Sequence, residues 1–440
     1  MRTMSYIQVD EDSDFPLENI PFGIISTKDN DSPRPATAIG PYAVDLRALA
    51  NAGVFDDCKY LCNRVAKRVF GQPTLNAFME LGRNSWVEAR QTLQSLLSNN
   101  GLPYLRESST LRDQALIPLS NVQYHLPATI GDYTDFYASK EHAMNVGSMF
   151  RGKDNALMPN WVHLPVGYHG RSSSVLITGT PIKRPSGLVQ NALTKVPEFS
   201  VSKKLDFELE VACFVGVGNS LGNPIDITAS EDHIFGLVLM NDWSARDIQQ
   251  YEYVPLGPFL GKNFGTTISP WIVTLDALEP FRTQQPEQNP TPAAYLRGGP
   301  SDAYDINLEV LLKPADIPDA RILSRSNLKY MYWSFKQMLA HHTVNGCNMR
   351  PGDLCGSGTI SGPTSDSLGS LLEITKNGAI PLEDIEGIEG RTFIEDGDEI
   401  ILRGYCISEH SGKRVKIGFG EASGVVLPAS SLSNAAVKQT

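Results

Sequence analysis

The chain has 440 residues, room for two or three domains, and its 41 % apolar and 20 % charged content is that of a soluble globular protein. A formal net charge of −11 with no basic run argues against a nucleic-acid partner, because nothing would offset phosphate repulsion. Apolar runs such as Ile234 to Met240 are far too short to span a bilayer, the acidic Met1 to Asp14 lacks the apolar core of a targeting peptide, and Val437-Lys438-Gln439-Thr440 is no peroxisomal address. A cytoplasmic protein with no membrane contact is expected. Its six cysteines, Cys58, Cys62, Cys213, Cys347, Cys355 and Cys406, make no Cys-x-x-Cys pair and read as reduced packing residues.

The first hundred-odd residues begin with short strands at Phe22 to Ser26 and Tyr42 to Leu46. A helical stretch follows, in which Ser85-Trp86-Val87-Glu88 has capping-box spacing and Ala89, Leu93 and Leu96 continue an apolar stripe. No carboxylates and histidines converge in this part, so its expected role is structural or regulatory. From about Asn121 onward, strands separated by Gly/Pro turns dominate, as at Ser174 to Thr178, His233 to Met240 and Ile400 to Tyr405. The Gln/Pro-rich stretch Arg282 to Pro292 reads as an exposed loop. A domain boundary is expected near residues 120 to 127.

The chemistry-bearing segments lie beyond that boundary. Gly131 to His142 packs acids, phenols and one histidine into twelve positions; Asp135 and His142 would share a helix face two turns apart, or could meet through a turn. Leu205 to Val217 reads as one strand, with Phe207, Leu209 and Val211 on one face and Asp206, Glu208 and Glu210 on the other. Like charges two residues apart repel, so this face is either solvated or holds a hard cation such as Ca²⁺ or Mg²⁺. After the apolar run Phe235 to Met240 the chain turns at Asn241-Asp242, and Asp242, Arg246, Gln249 and Tyr253 follow at helical steps, either as a site wall or as an exposed face with an Asp242–Arg246 pair. Pro255 ends that helix.

Lys262 is the one cation in the glycine-punctuated loop Pro258 to Thr267, which is not a phosphate loop because the Gly-x-x-x-x-Gly-Lys-Ser/Thr order is missing. A second glycine-rich run, Arg350 to Pro363, lacks the dinucleotide fingerprint. Glu373 falls in what reads as an apolar strand, where a buried carboxylate needs a partner, and a histidine is a natural one. No nucleophile elbow, zinc helix or Cys/His ligand set occurs. Of the unassigned histidines His163, His169, His233, His341, His342 and His410, His169 beside Tyr168 is the best placed to line a pocket.

These segments together resemble the fumarylacetoacetate hydrolase family over nearly the whole chain. The resemblance is carried by Asp12 to Pro16, Pro21 to Gly23, Asp132 to Tyr137, Asp206 to Glu210, Asn241 to Asp247, Leu260 to Phe264 and Gly356 to Gly362. It implies an α+β, β-dominated fold, with a small SH3-like barrel domain with helices over residues 1–125 and a large mixed β-roll domain over 126–440. It implies a homodimer and a divalent cation, Ca²⁺ or Mg²⁺, held by Asp135, Glu208, Glu210 and Asp242. Lys262 and Thr266 match positions around a second, Mg²⁺-type site. His142 matches the family's general base and Glu373 its orienting acid, while Arg246, Gln249 and Lys262 match the oxyanion donors. Tyr137, Arg151, Tyr168, Gln249, Tyr253 and Thr359 match substrate contacts.

The implied reaction is hydrolysis of the carbon–carbon bond of 4-fumarylacetoacetate to fumarate and acetoacetate, the last step of tyrosine and phenylalanine degradation. His142, polarised by Glu373, would deprotonate water, and the cation would stabilise the enolate leaving group. The same centre could instead serve decarboxylation, hydration or tautomerisation of a 2-keto acid, or hold a cation in a binding module without chemistry. A His–Glu pair favours water activation over both.

Overall fold

The computed structural model describes residues 4–430 apart from 384, 386, 411 and 412; Met1 to Thr3, Val437 to Thr440 and the side chain of His410 lie outside the described residues. The fold is α+β and strand-dominated. In the N-terminal part, strands Leu116–Pro118, Tyr42–Asp45, Asn30–Ile39, Phe22–Thr27 and Val122–His125 lie side by side in that order, all antiparallel. A 3₁₀ turn, Leu119–Asn121, joins the two edge strands, which is the connectivity of an SH3-like barrel. Helix Arg83–Leu97 packs Trp86, Ala89, Leu93 and Leu96 inward. The capping box expected at its start does not form. Gly82 precedes the helix, Ser85 is buried within the first turn, and Glu88 accepts instead from the backbone N–H groups of Lys59, Tyr60 and Leu61, each at 2.7 Å. Three donors converging on one carboxylate outcompete a single N-cap bond.

The large part is built on a mixed sheet in the order Gly167–His169, Tyr133–Phe136, Leu354–Gly356, Leu209–Val215, Ile234–Asp242, Thr266–Ile268 and Val175–Ile177. The pairings of Leu354–Gly356 with Tyr133–Phe136 and of Thr266–Ile268 with Val175–Ile177 are parallel. A second sheet runs Arg321–Asn327, Asn307–Lys313, Glu399–His410, Lys413–Leu427 and Ile182–Lys183. Leu209, Val211, Leu237 and Leu239 of the first sheet share one core with Leu308, Val310, Leu402 and Phe419 of the second.

The opposite face of the first sheet is also buried. Ala212, Phe214, Phe235, Val238, Met240 and Leu354 belong to the same cluster as Phe22, Phe78, Trp86 and Leu93 of the N-terminal part. A sheet covered on both faces demands continuous apolar strands, which explains the uninterrupted run at 234–240. Phe235 sits at the seam, with ring centroids 5.9 Å from Phe22, 5.7 Å from Phe78 and 5.2 Å from Trp86.

Two readings of the sequence need correction here. The stretch from Leu205 is two strands, Leu205–Asp206 and Leu209–Val215, with Phe207-Glu208 outside the ladder. The register is the same on both sides, Asp206 opposite Ser244 and Leu209 opposite Asn241. The Gln/Pro-rich stretch is not a free loop, because Gln285 and Gln288 donate to the Tyr332 carbonyl, each at 2.7 Å, and so pin it to the start of helix Phe335–Thr343.

Truncating Phe235 to Ala should cost ~3–5 kcal/mol in denaturant unfolding, as loss of a large buried aromatic does. A cost below about 1 kcal/mol would mean the two parts do not share a core at this point.

Candidate active site

Three separate segments deliver four carboxylates to one spot. Asp135 comes from strand Tyr133–Phe136, Glu208 from the ladder break, Glu210 from Leu209–Val215 and Asp242 from the end of Ile234–Asp242. All four are buried, and each offers an oxygen within 4.8 Å of the others. A solvated acidic face is thereby ruled out for Glu208 and Glu210. The approach depends on Gly356, where a Cβ would stand 2.4 Å from Met240 Cε, 2.8 Å from Asp135 Oδ1 and 3.1 Å from Glu210 Oε2. A side chain there would displace the Met240 tip and the Asp135 and Glu210 carboxylates from one another.

The partners of these acids are unequal. Lys262 Nζ donates to Glu208 and, at 2.9 Å, to Asp242 Oδ2. Asp242 also accepts from Thr266 Oγ1 at 2.8 Å and from the Tyr168 hydroxyl at 3.1 Å. Glu208 accepts from Arg246 Nη1 at 2.7 Å. Burial pushes the Glu208 carboxyl up, but the flanking Lys262 and Arg246 outweigh it and bring its pKa down to about 2. Lys262 lowers Asp135 and Glu210 too but does not prevail: burial, then the neighbouring carboxylates, hold both well above the usual range, and burial raises Asp242 as well. Asp135 Oδ1 and Glu210 Oε1 are buried without any hydrogen-bond partner. Unsatisfied hard oxygens, clustered and electrostatically frustrated, fit a divalent cation with an all-oxygen shell.

Beside this centre stands an oriented histidine. His142 opens helix Lys140–Arg151, whose N-cap Ser139 accepts from the His142 backbone N–H. Its Nδ1 lies 2.7 Å from Glu373 Oε2. Glu373 is not in a strand as its apolar context suggested, but in the short helix Leu371–Ile374 capped by Ser370. The carboxylate also accepts from Asn145 Nδ2 at 2.8 Å and from the hydroxyls of Ser361 and Ser370 at 2.9 Å. Burial raises its pKa, but the imidazole and these donors prevail and the net shift is downward. An ionised Glu373 only accepts, so the Nδ1–H of His142 donates to it and the tautomer with Nε2 as acceptor is favoured. Asp135 and His142 thus meet through a strand, a turn and a helix start, rather than along one helix face.

Arg246, Gln249 and Tyr253 do line the wall, though helix Arg246–Glu252 excludes both Asp242 and Tyr253. The Asp242–Arg246 pair of the alternative, exposed-face reading is absent from the hydrogen bonds Arg246 makes. Its Nε donates to Asp206 at 2.9 Å, its Nη1 donates to Glu208 and to Gln249 Oε1 at 3.2 Å, and its buried Nη2 has no partner. Gly261 lets the lysine loop press against that helix, since a Cβ there would sit 2.8 Å from Gln249 Cβ.

A cavity of about 510 Å³ opens onto His142, Asp135, Glu208, Glu210, Arg246, Gln249 and Lys262, and Tyr137, Arg151, Tyr168, Tyr253 and Thr359 also line it. The Tyr137 ring meets that of His142 edge-on at 5.4 Å. Arg151 turns its guanidinium back to the carbonyls of Asn155 and Ala156, at 3.1 and 2.7 Å. Thr266 borders a second cavity of about 390 Å³ that reaches Asp242 and Lys262 from the other side and includes His169. Sequence reasoning missed the apolar wall of Val146, Phe150, Leu256 and Leu372, and it missed Asn145, Ser361 and Ser370 around Glu373. Ser370-Leu371-Leu372-Glu373 carries the Ser-x-x-Glu helix-start spacing, a signal that was there to be read.

An oriented imidazole beside a buried acidic centre at the floor of a cavity is the equipment of an enzyme. Residues 18–127 match the family model "Fumarylacetoacetase N-terminal" and residues 132–423 match "Fumarylacetoacetate (FAA) hydrolase C-terminal". Fumarylacetoacetase of Arabidopsis thaliana is 53 % identical over 431 residues, covering 96 % of this chain and 98 % of the plant protein. The Homo sapiens fumarylacetoacetase is 53 % identical over 428 residues, covering 97 % and 99 %. Among solved structures, fumarylacetoacetate hydrolase from psychrophilic Exiguobacterium antarcticum is 14 % identical, covers 93 % of this chain and 99 % of its own, and shares the fold at a TM-score of 0.51. The chain belongs to the fumarylacetoacetate hydrolase family.

The raised acids set a pH signature. Without a cation, Asp135, Glu210 and Asp242 favour the folded state most when protonated, so that contribution is complete below their ordinary pKa of ~4 and is lost as pH rises through the raised values. Chelation should therefore lower Tm more at neutral than at acidic pH, with an added divalent cation restoring it. An equal effect at both pH values would contradict the frustration of these carboxylates.

Proposed function

We propose that this chain hydrolyses the carbon–carbon bond of 4-fumarylacetoacetate, a 1,3-diketo acid, to fumarate and acetoacetate, the last step of tyrosine and phenylalanine degradation, in the cytoplasm. Relatives that share half of its residues across nearly all of its length support the substrate. The observation that carries the chemistry is the buried His142–Glu373 contact at 2.7 Å, beside the cavity that His142 and Arg246 both line.

His142 Nε2 accepts a proton from water, and the hydroxide equivalent attacks the carbonyl on the fumaryl side. The carbonyl becomes an alkoxide, which accepts hydrogen bonds from Arg246 Nη2, the Gln249 amide and Lys262, each such donor commonly worth ~3 kcal/mol. Collapse of the alkoxide breaks the bond between the acyl carbon and the neighbouring methylene carbon. The electron pair leaves with acetoacetate as its enolate, and the imidazolium returns the proton to that carbon. Arg151 with Tyr137, Tyr168, Tyr253 and Thr359 holds the carboxylate ends of the substrate. A divalent cation, Ca²⁺ or Mg²⁺, held by Asp135, Glu208, Glu210 and Asp242, with Lys262 and Thr266 around a second Mg²⁺-type position, supplies positive charge for the diketone oxygens when bound. The division into residues 1–125 and 126–440 makes the second unit the catalytic one and the first its support.

The functional unit in this reading is a homodimer. The hairpin of Ser186–Gln190 and Pro197–Val201 exposes Leu188 directly opposite Phe199, with Val201 beside them, and an apolar face of this kind calls for a cover.

His142→Ala should lower kcat by ~10²–10⁴-fold while the fold and cation binding are retained, with loss of diketone absorbance as the readout. Retained hydrolysis would remove the imidazole from the mechanism. Light scattering should give twice the chain mass, and Phe199→Asp should shift it toward the monomer. An unchanged mass for that variant would place the subunit contact elsewhere.

A further inference from the structure

Asp206 takes no part in the chemistry above, yet it is 0 % exposed and lies two residues from Glu208. It stands outside the acidic tetrad and does not line the cavity. Its Oδ2 accepts from Arg246 Nε at 2.9 Å and from the Leu372 backbone N–H at 2.8 Å, and its Oδ1 accepts from the Leu371 N–H at 2.8 Å. One carboxylate therefore holds both the guanidinium that faces the cavity and the first turn of the helix that presents Glu373.

Both attachments are of the kind that decide geometry. Arg246 is held along two edges, Nε on Asp206 and Nη1 on Glu208 and Gln249, so its remaining Nη2 has one direction available. A planar guanidinium with two edges fixed cannot swing. Helix Leu371–Ile374 has only four residues and cannot hold itself by internal hydrogen bonds. Its opening N–H groups are held by Asp206 and its Glu373 N–H by Ser370. Asp206 is itself locked in the sheet, paired with Ser244 two residues before Arg246. The frame closes on a single side chain.

We propose that Asp206 is a positioning residue for the hydrolysis: it sets the oxyanion-facing edge of Arg246 and the Glu373–His142 pair in one frame, so that base and oxyanion donor act on the same carbonyl. This rests on the reaction proposed above.

The test uses full-length Asp206→Asn, which keeps the shape but turns an NH₂ toward a donor. We expect kcat to fall about 10²-fold, the scale of a 1 Å misplacement, while KM stays within about threefold and cation affinity is unchanged. Part of the loss should be non-additive with Arg246→Lys, because Asp206 acts in part through that arginine. Wild-type turnover with unaltered kcat in Asp206→Asn, or losses that multiply in the double variant, would overturn the proposal and leave the reaction standing. A wild-type protein inert toward fumarylacetoacetate would sink both. Should Asp206→Asn fail to fold, Arg246→Ala is assayed with added methylguanidinium. Recovery of kcat supports a preformed guanidinium seat on Asp206 and Glu208, and no recovery contradicts it.

Discussion

Burying negative charge is the constraint around which this molecule is arranged. Asp135, Asp206, Glu208, Glu210 and Asp242 are all withdrawn from water, against only Lys262 and Arg246 as buried cations among them. Asp206 and Glu208 absorb Arg246, and Glu208 and Asp242 share Lys262. Asp135 and Glu210 are left with oxygens that have no protein donor. Left to themselves such groups protonate or repel, and a doubly charged ion resolves both outcomes. The strain is localised where four strands meet, so it cannot relax by moving one loop.

The scaffold that enforces this is unusually well supported for a sheet bearing charge. Its inner face packs on the second sheet, and its outer face is shared with the N-terminal part through Phe22, Phe78, Trp86 and Phe235. Residues remote from the chemistry thus set the spacing of Glu210 and Asp242 through the strands that carry them. Close packing makes such a frame stiff, because interiors at crystal-like density transmit displacements rather than absorb them. On the cavity side the arrangement is looser, with Leu256 and Phe259 exposed on the loop before Lys262.

Local signals were legible where the period was strong. Phe22 to Ser26 and the apolar run to Met240 become strands, and Tyr42 to Leu46 does so up to Asp45, where Leu46 opens a helix. Glu373 was noticed because a lone acid among Leu371, Leu372 and Ile374 needs a reason, but four apolar-flanked residues carry too little period to separate a helical turn from a strand. Arg246 illustrates the other limit. Its spacing from Asp242 suggests an i,i+4 pair, whereas the fold brings Asp206 and Glu208 closer from another strand. Glu88 behaves alike, leaving its helix start for the backbone of residues 59–61. Long-range partners override local ones, and no single-sequence pattern announces them. That the acid segments meet at all entered only through the family resemblance.

The claim on which the rest depends is that the acidic tetrad grips a divalent ion within reach of His142. Anomalous diffraction from crystals grown with Mn²⁺ as the probe tests it most directly. The expected map has a peak bounded by Asp135, Glu208, Glu210 and Asp242, lost in Asp242→Asn. A map with no peak among those four carboxylates, in protein that turns over substrate, would contradict it.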